Sequence, residues 1–185
     1  LPTALIAKSQ RGERNESHIE EVESEEFDLT SMRVIEVKEG GVGDRICVDL
    51  TSMLNPGEGM LVGSSASSMV LVHGETVQSE FVPTRPFRVN AGAAHTYILM
   101  SDRSTKYLSE LEMGDQVMVT NSVGKSRTAT VGRVKIERRP FILFKWRDEN
   151  DNEAGALLQQ AETVRLVSNS GLISITDLSP DMEII

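Results

Sequence analysis

MRVIEVKEGGVGDRICVDL, residues 32–50, alternates apolar and polar side chains with a period of two on both sides of a glycine cluster. Successive side chains of an extended strand point to opposite faces, so this alternation marks half-buried strands. Ile35 and Val37 are expected on one face, and GGVGD is expected to turn because glycine takes positive φ without strain. In DRICVDL the same rule puts Ile46, Val48 and Leu50 on the buried side, with Cys47, as a small half-buried side chain, and Asp49 opposite.

Towards the C-terminus the pattern repeats. GMLVGS, SMVLVHGE, RPFRVN and HTYILM follow, separated by Gly, Pro, Ser and Asn. DQVMVT and TATVGRVKIE flank NSVGKS, and FILFKW and GALLQQ flank DENDNE, each pair reading as a β-hairpin. Short strands at this spacing predict a mainly β chain, a compact antiparallel barrel or sandwich. A weak echo also recurs: Leu54-Asn-Pro-Gly57, Leu111-Glu-Met-Gly114 and Leu178-Ser-Pro-Asp181 each precede an apolar strand, and a shared turn that launches strands explains it.

On the N-terminal side, residues 1–31 carry three Lys or Arg against eight Asp or Glu. RGERNESHIEEVESEEFD has too few large apolar residues for a core element, so residues 1–31 read as an acidic connector, with His18 at the surface, and residues 32–185 as the β-rich domain. The chain starts without Met and stops inside a strand-like segment, and it is expected to be incomplete at both ends.

Composition narrows the function. A formal net charge of −9 argues against nucleic acid as the main partner, since phosphate binding needs a basic surface. No apolar run approaches the roughly 20 residues of a spanning helix, so no membrane span is expected. A single cysteine rules out an internal disulfide and a multi-cysteine zinc site, and makes a reducing compartment, cytoplasm or an organelle interior such as a plastid stroma, the default. GxGxxG, GxxxxGK[ST], GxSxG and HExxH are all missing.

LVHGETVQSEFVPTRPFRVNAGAAHTY, residues 71–97, concentrates groups that are costly to bury. Side chains two apart share a strand face, which pairs His73 with Glu75, Arg88 with Asn90 and His95 with Tyr97. If the strands bearing His73 and His95 are neighbours, two imidazoles and a carboxylate converge, suiting a divalent metal or acid–base work; hydrogen-bonded structural histidines are the plainer alternative. Arg85 and Arg88 bracket Pro86-Phe87, which belongs at a strand start or an edge, where guanidinium groups stay free for a carboxylate or phosphate; surface ion pairs are the plainer reading. Arg133, Lys135 and Glu137 share another strand face, which reads as solvated.

GVGDRICVDLTSMLNPGEGMLVGS, LVHGET, RPFRVNAGAAHTY, TKYLSELEMGDQVMV, ATVGRVKIERRP and LLQQAETVRLV, in this order, resemble the C-terminal half of the archaeal-type (type II) 3-dehydroquinate synthases and the related amino-hydroxybenzoate synthases. The resemblance implies an enzyme of aromatic, shikimate-type biosynthesis that oxidatively deaminates an amino-keto acid with NAD and closes a ring by an aldol step. Its relatives imply metal-dependent ring formation with manganese or another divalent ion instead, and a non-catalytic structural or assembly subunit is a third reading. By resemblance the site residues are His73, Glu75 and His95 as metal ligands or proton-transfer groups, Lys135 as base or carbonyl partner, and Arg85, Arg88 and Asn90 for the substrate. Glu137 falls in the same block as Lys135. Gly74 stands where the family usually has Ser. The partners so implied are a small keto acid and a homo-oligomer or larger assembly.

Overall fold

The computed structural model describes residues 25–185. In chain order the strands are β1 (Glu25–Glu26), β2 (Met32–Leu50), β3 (Glu58–Ser65), β4 (Ser68–His73), β5 (Arg88–Ala93), β6 (Tyr97–Leu99), β7 (Thr105–Tyr107), β8 (Gln116–Asn121), β9 (Lys125–Arg147), β10 (Glu153–Gln159), β11 (Arg165–Ser168), β12 (Gly171–Ser174) and β13 (Glu183–Ile184). They pair antiparallel along the path β12-β11-β4-β3-β8-β9-β2-β13, with β5 beside β2, β10 and β1 beside β9, and β6 between β3 and β7.

The mainly β, antiparallel architecture expected from the alternation is the one adopted, but the ladders do not close into a barrel. What draws the last strand back towards the start of the path is a pair of backbone bonds. Ile185 N–H donates to Val167 O (2.9 Å), and Leu71 N–H donates to Ile185 O (2.7 Å).

GGVGD does not turn. β2 runs unbroken through it and pairs with β9 from Arg33↔Arg147 to Leu50↔Val131. The glycines instead make a bulge: β2 advances from Glu39 to Val42 while β9 advances from Ile142 to Pro140, and Gly41 takes φ 75°. Pro140 has no N–H to offer a ladder and lies opposite this irregularity, where none is required. The same partner joins TATVGRVKIE and FILFKW into one strand of 23 residues. A second bulge between Val34 and Glu36 corrects the facing of the first segment: Val34 pairs with Trp146 and Val37 with Phe144, and Ile35 is the extra, half-buried residue.

The two hairpins form as expected, β8 with β9 and β9 with β10. Leu54, Leu111 and Leu178 are all buried and precede one turn geometry. Glu58, Asp115 and Met182 donate backbone N–H to Asn55, Glu112 and Ser179 (3.0, 3.1 and 3.3 Å), and Gly57, Gly114 and Asp181 take φ of 90°, 94° and 72°. Positive φ at the third residue is the type II turn, with Pro56 and Pro180 at its favoured second position.

The core lies on one face of these strands, around Ile46, Val48, Met60, Val62, Val72, Phe144, Trp146 and Leu158. Trp146 is fully buried and its indole N–H donates to Ser68 Oγ (2.9 Å), which removes the cost of hiding that donor. Leu61, Leu71, Val167 and Ile185 make a smaller cluster. The end of the expected connector is a strand: Glu25 and Glu26 pair with Ser126 and Lys125. His18 and the other residues of that segment up to 24 lie outside the described residues.

Candidate functional site

Strand β2 runs between β5 and β9, so each of its residues 45–49 has two cross-strand neighbours. Ile46 and Val48 go to the core, which turns Arg45, Cys47 and Asp49 to the other face, as the alternation required. There Asp49 stands opposite Arg88 and Arg133, Cys47 opposite Asn90 and Lys135, and Arg45 opposite Glu137. Directly opposed residues have Cβ atoms about 5 Å apart, close enough for their charges to pair.

The pairs are made. Arg88 donates from Nε and Nη2 to the two oxygens of Asp49 (2.7 and 3.0 Å), and Arg133 Nε donates to Asp49 Oδ2 (2.7 Å). Arg45 Nη2 donates to Glu137 Oε2 (2.7 Å), which also accepts from Arg139 Nη2 (2.7 Å), and Lys135 Nζ lies 3.2 Å from Glu137 Oε1. Gln159, at the end of β10, reaches in from the side: its Oε1 accepts from Asn90 Nδ2 (2.8 Å) and from Arg45 Nη1. Glu75 joins through the backbone, donating N–H to Arg88 O (2.8 Å) and accepting from Arg85 N–H (2.9 Å), with Arg85 Nη1 3.5 Å from its carboxylate. Six cationic side chains (Arg45, Arg85, Arg88, Arg133, Lys135 and Arg139) thus face three carboxylates (Asp49, Glu75 and Glu137), a surplus of three positive charges in a chain of net charge −9.

Environment separates the acids. Burial pushes the Glu75 carboxyl up and outweighs the pull of Arg88, Arg85 and Arg45. Burial also pushes Asp49 up, but the hydrogen bonds from Arg88 and Arg133 win and hold it below the usual carboxylate range. Glu137 is held low by Lys135 first, then Arg139 and Arg45. Cys47 is buried at the centre of the face, not half-buried as expected, and burial pushes its thiol up, which keeps it protonated.

Of the residues expected from sequence, Glu75, Arg85, Arg88, Asn90 and Lys135 come to this face. The histidines do not join them in one place. His73, buried at the end of β4, accepts Gly57 N–H on Nε2 (2.8 Å), and burial lowers its pKa, so the ring is neutral. His95 is exposed, and its Nε2 lies 3.1 Å from Ser64 Oγ. His73 pairs with Gly59, five residues from Ser64 on β3, which corresponds to about 16 Å of strand. The expected convergence of His73, Glu75 and His95 is therefore not formed, and no three His, Cys, Asp or Glu among the described residues are grouped to hold a metal.

Arg45, Asp49 and Gln159 were missing from the expected site. Alternation gave the facing of Asp49 but not its partners, and nothing in GALLQQ marks Gln159. A Cβ on Gly74 would meet Leu54 Cδ1 at 2.5 Å, so a serine at this position would need Leu54 to turn aside.

Residues 31–185 match the family described as 3-dehydroquinate synthase II C-terminal domain. Among curated proteins, the 3-dehydroquinate synthase of Methanosphaera stadtmanae is 52% identical over 153 residues, covering 83% of this chain and 42% of that protein. The 3-dehydroquinate synthases of Cenarchaeum symbiosum (53% over 154 residues, 82% and 45% covered) and Methanocaldococcus jannaschii (49% over 163 residues, 88% and 45% covered) are similar to the same extent. The chain spans less than half the length of these relatives. No solved structure is significantly similar. A family match over most of the chain, with about half of the residues identical in these relatives, leads to one conclusion: the chain belongs to the family of 3-dehydroquinate synthase II C-terminal domains.

Proposed function

We propose that the polar face of β5, β2 and β9 is the keto-acid side of a 3-dehydroquinate synthase active site, serving the oxidative deamination of an amino-keto acid and the aldol ring closure. The observation that carries this reading is the surplus of cations around Glu75, a half-buried carboxyl with a raised pKa. Arg85 is the loosest of the cations, 3.5 Å from Glu75, and with Lys135 it takes the substrate carboxylate. Arg88 is fixed by Asp49 and keeps the face electropositive. In the aldol step Glu75 removes a proton from the carbon next to the ketone. The resulting enolate carbon bonds to the second carbonyl carbon, and the alkoxide formed takes the proton back from Glu75. A base with a raised pKa suits both transfers.

NAD, implied by the family, would supply the oxidant for the deamination; no Gly-rich phosphate loop marks a place for it here, and no step above runs through it. The expected divalent metal finds no three-ligand group among the described residues, so none is assigned to it either.

Calorimetric titration of the chain with 3-dehydroquinate tests the reading. Arg85→Gln and Lys135→Met should each weaken binding by about tenfold, the loss of one charge-assisted hydrogen bond. Absence of binding to the wild-type chain, or affinities unchanged in both variants, would refute it.

A further inference from the structure

Two hydrogen-bond donors on this face point at one oxygen. Arg45 Nη1 and Asn90 Nδ2 both donate to Gln159 Oε1. The donors belong to side chains sealed in the structure, Arg45 with 6% and Asn90 with 4% of its surface exposed. Arg45 is locked by Glu137, and Asn90 lies in the middle of β5 against β2. The acceptor is of another kind. Gln159 is half-buried on the last residue of β10, and a glutamine side chain has several staggered rotamers to choose among. Fixed donors under a movable acceptor are what an oxygen-binding point looks like when the protein fills it with its own amide.

The protein does not complete the two donor residues even so. Arg45 Nε and Asn90 Oδ1 are buried and have no hydrogen-bond partner, at a locus where every other charged group is paired. Buried polar atoms without partners are uncommon and concentrate where a ligand or water belongs.

We propose that Arg45 and Asn90 form the binding point for a ligand oxygen, a carbonyl that becomes an enolate, and that Gln159 occupies this point until such an oxygen displaces it. The inference rests on the reading of the face as a keto-acid site and adds the residues that receive the reacting oxygen. The exchange has a chemical direction. A neutral carboxamide oxygen takes one charge-assisted hydrogen bond, from the Arg45 guanidinium, and one ordinary bond, from Asn90, whereas an oxygen acquiring negative charge makes both bonds charge-assisted and adds direct attraction to the guanidinium. Gln159 is therefore an adequate guest in the empty site and a poor competitor once the enolate forms, which is the preference a catalyst needs. While present, it keeps both donors satisfied and costs no rearrangement of β2 or β5.

The test is a gain of affinity. Pyruvate, a small keto acid, is titrated into the wild-type chain, Gln159→Ala, Gln159→Ser and Gln159→Ala combined with Asn90→Leu, with folding followed by far-UV circular dichroism. Removing the internal competitor should tighten pyruvate binding about tenfold in both single variants, and adding Asn90→Leu should abolish the gain. A merely structural Gln159 would give the opposite, weaker binding. In the wild-type chain the Gln159 side-chain amide resonances should shift on pyruvate addition, a readout that needs no variant to fold. Equal or weaker binding in the folded single variants, or unmoved amide resonances in a wild-type chain that binds pyruvate, overturns the displacement while leaving the anion site standing. If pyruvate binds neither the wild type nor the single variants, the anion site and this inference fall together.

Discussion

Replacing Asp49 by alanine should destabilise the chain more than any other single change on the polar face. Asp49 is 3% exposed and accepts three hydrogen bonds, two from Arg88, itself 7% exposed. Without the carboxylate, the Arg88 guanidinium is left buried with no counter-charge, and breaking a buried pair in this way costs about 3–5 kcal/mol. Arg133 supplies the control. Its side chain is 63% exposed, so solvent screens its bond to the same carboxylate, and Arg133→Gln should cost less than about 1 kcal/mol. A third variant separates the pair's own worth from the cost of orphaning one partner: Asp49→Leu with Arg88→Met removes both charges and should recover most of the loss. Urea unfolding followed by fluorescence of the single tryptophan, Trp146, reads all three, with the slope of the transition unchanged if the folded and unfolded states keep their compactness. An Asp49→Ala loss no greater than that of Arg133→Gln, or a double variant no better than the single, would refute the reasoning. The pH dependence carries a sign of its own. Because the folded-state pKa of Asp49 is depressed, its contribution is fully present above the unfolded-chain value of about 3.9 and disappears as pH falls through the folded value.

Glu75 behaves the other way. Its folded-state pKa is raised, so it loses stability for the chain as pH rises from the unfolded value through the folded one, and Glu75→Gln should unfold at higher urea than wild type at pH 7, with the difference shrinking below about pH 4. The same variant should lower turnover of the whole enzyme by 10²- to 10⁴-fold, about the usual contribution of a proton-transfer group, measured by single-turnover kinetics. Asp181 holds φ 72° where the two sister turns have glycine, so Asp181→Gly should raise the thermal midpoint, by about 0.5–1 kcal/mol of relieved backbone strain, and a fall would show that its side chain matters more than its backbone.

Strand periodicity carried most of the fold, because a half-buried strand writes its two faces into alternate residues. Ile46, Val48 and Leu50 read correctly from that rule, as did the hairpins around NSVGKS and DENDNE and the recurrent turn after Leu54, Leu111 and Leu178. What local pattern could not supply was the partner. GGVGD has the composition of a turn, and it stays extended only because β9 runs alongside it with Pro140 opposite the bulge. The same gap hid much of the site. Asp49 meets Arg88 across 39 residues of sequence and Arg133 across 84, so its role depends on β2 lying between β5 and β9. The histidines failed for the matching reason: β4, which ends at His73, and β6, which follows His95, both pair with β3 and so are kept apart by it. Arg85 and Arg88 read from sequence as an anion-binding pair or as surface ion pairs, Asn90 and Lys135 entered only through the family resemblance, and the common location of the four became visible only with the register.

The long ladder between β2 and β9 sets a schedule for synthesis. Its first rung joins Leu50 to Val131 and its last joins Arg33 to Arg147, so β2 leaves the ribosome between 81 and 114 residues before the strand it needs. At cellular elongation rates that is a wait on the order of ten seconds, during which Ile46, Val48 and Leu50 are without their neighbour on β9. The nascent chain should therefore be a client of holding chaperones until β9 emerges, and slowing translation between residues 50 and 131 should favour aggregation over native protein.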